Sequence, residues 1–205
     1  MVEINLMLGG DMPKNFPKNE NWAGVDKGAS YLLKNNIYPI YSFGDFDSIN
    51  IEDKKTLAKK SKIFIKESQN EVDLEFALDK LLNLINVEKI NIYGATGARL
   101  DHFLGNIMLL RNEKYKNVRI DVIDDNNIIT ISRAGENVFR KKENYKYFSV
   151  VPLESATTMT ICGAKYDAEN LLLTTTRPNA TSNEFLKDEI TLIVDKDVLV
   201  IYSKD

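Results

Sequence analysis

In the first two thirds of the chain, short apolar runs alternate with segments whose apolar residues recur every three to four positions. This is the pattern of βα units built around a parallel sheet. Strands are predicted over 4–8, 22–25, 40–43, 62–65 and 89–93, and helices over 27–35, 51–60, 72–84 and 101–111. In the third helix Leu74, Ala77, Leu78 and Leu81 form one stripe at i, i+3, i+4 and i+7, and Leu104, Ile107 and Met108 form another in the fourth. After about Arg133 the texture changes to β-branched and aromatic residues alternating with polar ones. Strands are predicted there over 147–151, 157–162, 171–175, 189–195 and 198–202, with Lys196 and Asp197 turning between the last two. The expected fold is therefore α/β. An N-terminal parallel-sheet, Rossmann-like α/β domain over 1–132 precedes a smaller antiparallel β domain over 133–205, the boundary being set to within several residues.

Composition narrows the chemistry. The 205 residues are 43% apolar and 28% charged, which suits a globular protein with a real core. A single histidine, His102, and a single cysteine, Cys162, exclude a His/Cys zinc site, a paired-cysteine redox motif and a disulfide framework. With 27 Lys+Arg against 30 Asp+Glu the net charge is −3, which leaves no basic footprint for nucleic acid and no polybasic membrane anchor. No run of about 18 apolar residues occurs. The first residues carry no basic leader, and the cysteine usage points to the cytoplasm. Chemistry is left to carboxylates, hydroxyls, Lys and Arg, and bound small molecules.

The informative residues follow the predicted strands. The first strand runs into Gly9-Gly10-Asp11, the second into Asp26-Lys27-Gly28-Ala29, and the third into Gly44-Asp45-Phe46-Asp47-Ser48. The fifth runs into Gly94-Ala95-Thr96-Gly97-Ala98-Arg99-Leu100-Asp101-His102. In an open parallel sheet all of these emerge at the carboxyl edge, where ligands bind. If 44–48 is extended, Asp45 and Asp47 face one cleft while Phe46 turns into the core, and a pair of carboxylates suits Mg²⁺ with water and phosphate completing its shell. For an isolated Asp-x-Asp an ordinary turn, with Ser48 or Asp47 capping the next helix, is the more common case. Asp73 reads as the acidic member of a capping box begun by Asn70, complementing the helix dipole, and on its own would not be singled out. Asp101 likewise could cap its helix. The 94–101 segment has two glycines, a helix start and Arg99, which can cradle an anion; it also reads as a glycine turn with an exposed arginine. It is neither a Walker P-loop nor a G-x-G-x-x-G fingerprint. His102 is given a minor local role, Cys162 is expected to be a buried small hydrophobe, and Trp22 is expected in the core.

Gly44-Asp45-Phe46-Asp47-Ser48, Asp73 at a helix start, and Gly94 through His102, in that order, resemble the thiamine pyrophosphokinase family. The resemblance extends through Asp26-Lys27-Gly28-Ala29, Gly163-Ala164-Lys165-Tyr166 and Thr181-Ser182-Asn183-Glu184, and so covers most of the chain. The chain departs from the family pattern at Lys27, Val72 and Ala98, where Gly, Thr and Gly are usual; the Ala98 methyl is expected to narrow the cradle slightly. The resemblance implies transfer of the terminal diphosphate of ATP to the hydroxyl of thiamine, giving thiamine diphosphate and AMP. It also implies an α/β nucleotide domain, a β-sandwich domain concerned with thiamine and dimerisation, and a homodimer with sites between subunits. Carried onto this sequence, Asp45, Asp47 and Asp73 hold Mg²⁺ with ATP as co-substrate. Asp26, Gly28, Gly94, Gly97 and Arg99 bind ATP phosphates. Asp101 orients the thiamine hydroxyl and accepts its proton, and Ser182 and Asn183 help form the thiamine pocket. The competing readings are a pyrophosphokinase for another acceptor such as a hydroxymethylpterin, a Mg-nucleotide-binding regulatory module, and a Mg²⁺-dependent phosphohydrolase.

Overall fold

A computed structural model of the chain describes residues 2–18, 20–68, 70–97, 99–177 and 179–205. The chain divides into two compact units, Met1–Asp125 and Asn126–Asp205. The first contains β1 (Val2–Met7), β2 (Trp22–Val25), α1 (Lys27–Lys34), β3 (Tyr41–Gly44), α2 (Ile51–Lys60), β4 (Lys62–Ile65), α3 (Asp73–Leu84), β5 (Val87–Tyr93), α4 (Leu100–Leu109) and β6 (Arg119–Ile123). Its strands lie in the order β6-β5-β1-β2-β3-β4, and every neighbouring pair is parallel. From β1 the chain steps outward through β2, β3 and β4, then returns to the other side of β1 for β5 and β6. The order therefore reverses between β1 and β5, and the carboxyl ends of these strands form the switch point of the sheet.

All four residues of β2 are buried, as a central strand requires. A Cβ on Gly24 would stand 2.6 Å from the Ala29 Cα, so the bare backbone there lets α1 lie tight against the strand. Trp22 enters the core as expected, with Met7, Leu32, Ile37 and Tyr93, and its indole N–H donates to the Pro17 carbonyl at 3.1 Å. The α3 stripe Leu74, Ala77, Leu78 and Leu81 is buried in full. The α4 stripe is not. Ile107 is buried, but Leu100, Leu104 and Met108 remain 70%, 56% and 51% exposed.

The helix starts also differ from expectation. The α2 cap is Asn50, whose Oδ1 accepts the Asp53 N–H at 2.8 Å, rather than Ser48 or Asp47. Val72 precedes α3 and makes no side-chain cap, while Asn70 donates its backbone N–H to Ser68 Oγ at 3.1 Å. Asp73 thus belongs to no capping box begun by Asn70. β6 escaped the pattern reading because Arg119 and Asp121 interrupt its apolar residues; Asp121 is buried on the sheet against the Arg119 guanidinium, Nε to Oδ1 3.2 Å.

The second unit contains β7 (Asn127–Ser132), β8 (Gly135–Arg140), β9 (Tyr147–Pro152), β10 (Thr157–Cys162), β11 (Ala168–Leu173), β12 (Asn183–Glu184), β13 (Glu189–Val194) and β14 (Val198–Ser203). β7 falls in this unit, although a boundary at 132 would leave it in the first. The strands form two antiparallel layers, β12-β9-β14-β7 and β11-β10-β13-β8. They pack face to face. Phe139 of β8 meets Phe148 of β9 and Tyr202 of β14, with ring centroids 5.4 and 6.5 Å apart. Along β10 the alternation sends Met159 and Ile161 inward and leaves Cys162 on the outer face, exposed, so the expectation of a buried cysteine is corrected.

Candidate active site

The carboxyl ends of β1 and β5 continue to pair beyond the strands. Leu8 N–H donates to the Tyr93 carbonyl at 2.8 Å, Gly10 N–H to Gly94 at 2.8 Å, and Asp11 N–H to Thr96 at 2.9 Å. Gly94 and Gly97 have φ of 66° and 126°, which L side chains rarely adopt. A Cβ on Gly94 would lie 2.6 Å from the Leu8 carbonyl oxygen, and one on Gly97 would lie 2.7 Å from the Asp11 carboxyl carbon. These two glycines therefore let the 8–11 and 94–97 loops close on each other. Gly28 plays the same part at the start of α1, where a Cβ would stand 2.0 Å from the Met7 carbonyl oxygen. Ala98 lies outside the described residues.

Beside that seam the structure gathers acids from three elements. Asp26, between β2 and α1, has φ 45°, a strained conformation for a residue with a side chain. Its N–H donates to the Phe43 carbonyl at 3.0 Å, and its Oδ1 accepts the Phe46 N–H at 3.0 Å. Burial pushes the Asp26 carboxyl up to about 6; the Phe46 N–H opposes this, the charges of Asp73 and Asp45 add to it, and Lys66 lowers it. The segment after β3 is a turn rather than an extended strand. Phe46, at φ 59°, is buried against Ala29, Ile49 and Leu57, and the Asp47 N–H donates to Asp45 Oδ1 at 3.0 Å. Asp45 is half-buried and Asp47 is exposed.

Lys66 is the residue that pattern reading missed. It follows β4, its N–H donates to the Gly44 carbonyl at 3.0 Å, and it is 6% exposed. Its ammonium pairs with Asp73 Oδ1 and donates to the Glu71 carbonyl at 3.1 Å. The available signal was position: the lysine comes directly after a strand at the functional edge of the sheet. It resembled the solvated end of the run Lys62-Ile63-Phe64-Ile65-Lys66.

At the start of α4, Arg99 forks onto Asp101, Nε to Oδ1 3.2 Å and Nη2 to Oδ2 2.5 Å, with both side chains about two-thirds exposed. The guanidinium holds the Asp101 carboxyl down at about 2. Asp101 lies in the first turn of α4, and His102 beside it is exposed. In the second unit Ser182 is exposed with φ 58°, and its N–H donates to Ser149 Oγ at 2.9 Å. Asn183 is buried. Its Oδ1 accepts the N–H groups of Tyr166 at 3.0 Å and Glu184 at 2.9 Å, and its Nδ2 donates to the Tyr166 carbonyl at 2.9 Å, so its amide shapes the loop carrying Tyr166.

Among the described residues no three His, Cys, Asp or Glu close around one point as a metal site. The donors present are hard carboxylate oxygens, and the charges of Asp73 and Asp45 add to the burial that already drives Asp26 upward. That chemistry fits a cation taking one or two protein carboxylates and the rest of its shell from water and phosphate. No helix among the described residues is long and apolar enough to cross a membrane.

Comparison with known proteins matches the two units to two named domains. The thiamin pyrophosphokinase catalytic domain matches residues 13–122, and the thiamin pyrophosphokinase vitamin B1 binding domain matches residues 136–199. A thiamine pyrophosphokinase of Bacillus subtilis is 35% identical, over 98% of this chain and 98% of its own length. The crystal structure of Bacillus subtilis thiamine pyrophosphokinase superposes with a TM-score of 0.87 at 33% identity, covering 99% of each chain. That of a thiamin pyrophosphokinase family protein from Enterococcus faecalis gives 0.89 at 26% identity, also covering 99% of each. With both domain models matched in order and a full-length relative above 30% identity, the chain belongs to the thiamin pyrophosphokinase family.

Proposed function

We propose that the protein transfers the terminal diphosphate of ATP to the hydroxyl of thiamine, giving thiamine diphosphate and AMP. The observation that carries this reading is the gathering of Asp26, Asp45 and Asp73 from three elements of one rim, with an exposed Arg99 and Asp101 at the start of α4. An all-parallel order that reverses beside β1 supports a nucleotide-binding, Rossmann-like role for the first unit. The match of the second unit to a vitamin B1 binding domain supports thiamine as acceptor, with Ser182 and the loop shaped by Asn183 as binding elements.

In the reaction the thiamine hydroxyl oxygen attacks the β-phosphorus of ATP. The bond from that phosphorus to the oxygen bridging it to the α-phosphorus breaks, AMP leaves with the electron pair, and the hydroxyl proton passes to Asp101. Mg²⁺, when bound, would supply charge neutralisation for the polyphosphate, held by carboxylates drawn from Asp45, Asp47 and Asp73, with Asp26 adding to the negative charge of the rim. Phosphoryl-type transfer requires positioning and charge compensation more than a strong base, since a loose transition state releases the alcohol proton late. The ion pair adds timing. A phosphate that draws Arg99 away from Asp101 removes the cause of that carboxyl's low pKa and so makes it a better acceptor when the hydroxyl arrives. Homodimerisation is part of the same proposal, supported by the exposed Leu100, Leu104 and Met108.

The test is to incubate the protein with ATP, Mg²⁺ and thiamine and to follow AMP and thiamine diphosphate. AMP that forms only with thiamine, mole for mole with thiamine diphosphate, is the expected result. ATP breakdown without acceptor would make the protein a hydrolase, and turnover with a pterin alcohol but not thiamine would replace the acceptor.

A further inference from the structure

Lys66 has no place in the scheme above, yet it is the most buried charged side chain of the rim. Taking an ammonium out of water costs several kcal/mol unless anions and acceptors surround it. Its surroundings meet that demand in part. Asp73 Oδ1 and the Glu71 carbonyl take two of the three ammonium protons among the described residues. Its backbone is fixed as well, because its N–H donates to the Gly44 carbonyl at 3.0 Å and so ties the end of β4 to the end of β3. The charge also acts on Asp26, whose carboxyl it draws downward against the repulsion of Asp73 and Asp45.

A cation so placed does two things. It offsets the mutual repulsion of carboxylates from β2, the β3 turn and the start of α3 while no ligand is bound. It also leaves one N–H for an oxygen of a polyphosphate that brings its own divalent cation to the same acids. We propose that Lys66 is a positioning residue of the diphosphate-transfer site, the resident counter-cation of Asp73 and Asp26, which on nucleotide binding donates to the β- or γ-phosphate. The inference rests on the ATP half of the proposed function and is independent of the acceptor.

The experiment compares two ligands on the full chain by calorimetry. One is α,β-methylene-ATP with Mg²⁺, which cannot be split at the transferred bond; the other is AMP, which lacks the β- and γ-phosphates. Lys66→Met is expected to weaken the Mg²⁺ complex of the triphosphate about ten- to hundredfold, the scale of a charge-assisted hydrogen bond, while AMP affinity stays within about twofold. Mg²⁺ alone is expected to raise the melting temperature of the variant more than that of the native protein, because the ion replaces the missing charge. Equal losses for both ligands would show a merely structural lysine, and an unchanged triphosphate affinity would remove Lys66 from the site; either result overturns the proposal. If Lys66→Met does not fold, Lys66→Gln keeps an N–H donor for Glu71 without the charge and is held to the same outcomes. Native protein that binds the Mg²⁺ triphosphate in a Lys66-dependent way but does not turn over thiamine would sustain this inference while defeating the thiamine reading.

Discussion

Two ion pairs stand at the same edge of the first unit and are built in opposite ways. Lys66 and Asp73 join a buried ammonium, held by the Glu71 carbonyl on a backbone that Gly44 anchors, to a half-exposed carboxylate at the first position of α3. Arg99 and Asp101 join two exposed side chains two residues apart. The first pair belongs to the architecture, because removing Asp73 strands the Lys66 ammonium away from water. The second is screened by solvent and readily exchanged for a stronger anion. On the proposed mechanism, the difference separates residues that shape the site from residues that change partner during the reaction.

Exchanging the carboxylates breaks the comparison most directly. Asp101→Asn and Asp73→Asn are each expected to lower kcat by about a hundredfold or more. Their stabilities should diverge. Asp73→Asn leaves the Lys66 ammonium buried without its anion, and with Asp73 44% exposed the discounted cost is about 2 kcal/mol. Asp101→Asn should leave the urea midpoint unchanged. Equal midpoints for the two variants would erase the distinction between the pairs.

Arg99→Lys sharpens the exchangeable side. A point charge replaces the planar fork, so KM for ATP is expected to rise about tenfold with no change in melting temperature. Steady-state kinetics at several ATP concentrations reads this out, and an unchanged KM would remove Arg99 from phosphate binding.

The smallest effect concerns the acid that the fixed pair only partly neutralises. Asp26 has a raised folded pKa of about 6, so below the ordinary aspartate range both folded and unfolded forms are protonated and no penalty exists. As pH rises from that range through about 6, the unfolded chain ionises first, the folded protein binds the extra proton, and stability falls. Asp26→Asn keeps an oxygen acceptor for the Phe46 N–H and removes the charge. Its melting temperature at neutral pH should exceed that of the unliganded native protein by about 2–5 °C, and the gap should close on acidification through this window. A gap independent of pH would mean that Asp26 is not charged against its surroundings.

Much of this was legible in the sequence. The four helices and most of the strands followed from periodicity, because burial on one face imposes a repeat of 3.6 or 2. β6, β7, β8 and the two-residue β12 did not; in β6 a buried Asp121 breaks the apolar pattern, and tertiary pairing with Arg119 is what makes it tolerable. Asp26, Asp45 and Asp47 were legible because they follow strands, whereas Asp73 was picked out only by the family resemblance. The shape of the β3 turn was not: with Phe46 in the left-handed region the Asp45 carboxylate accepts the Asp47 N–H and Asp47 stays exposed, and the charges of Asp73 and Asp45 act on the buried Asp26. Lys66 was hidden by the general expectation that a lysine at a strand end is solvated. Cys162 misled for the opposite reason, since a small residue in an apolar strand reads as core until the alternation places it on the outer face.

The account turns on Arg99 leaving Asp101 when phosphate arrives, and the Asp101 carboxyl reports this directly. Its titration can be followed by carbon NMR with labelled aspartate, assigned through Asp101→Asn, in the free protein and with Mg²⁺ and α,β-methylene-ATP. The free protein should titrate near 2. The loaded protein should move up toward the ordinary carboxylate range. A value that stays near 2 in both states would contradict the exchange and leave Asp101 bound to Arg99 throughout the reaction.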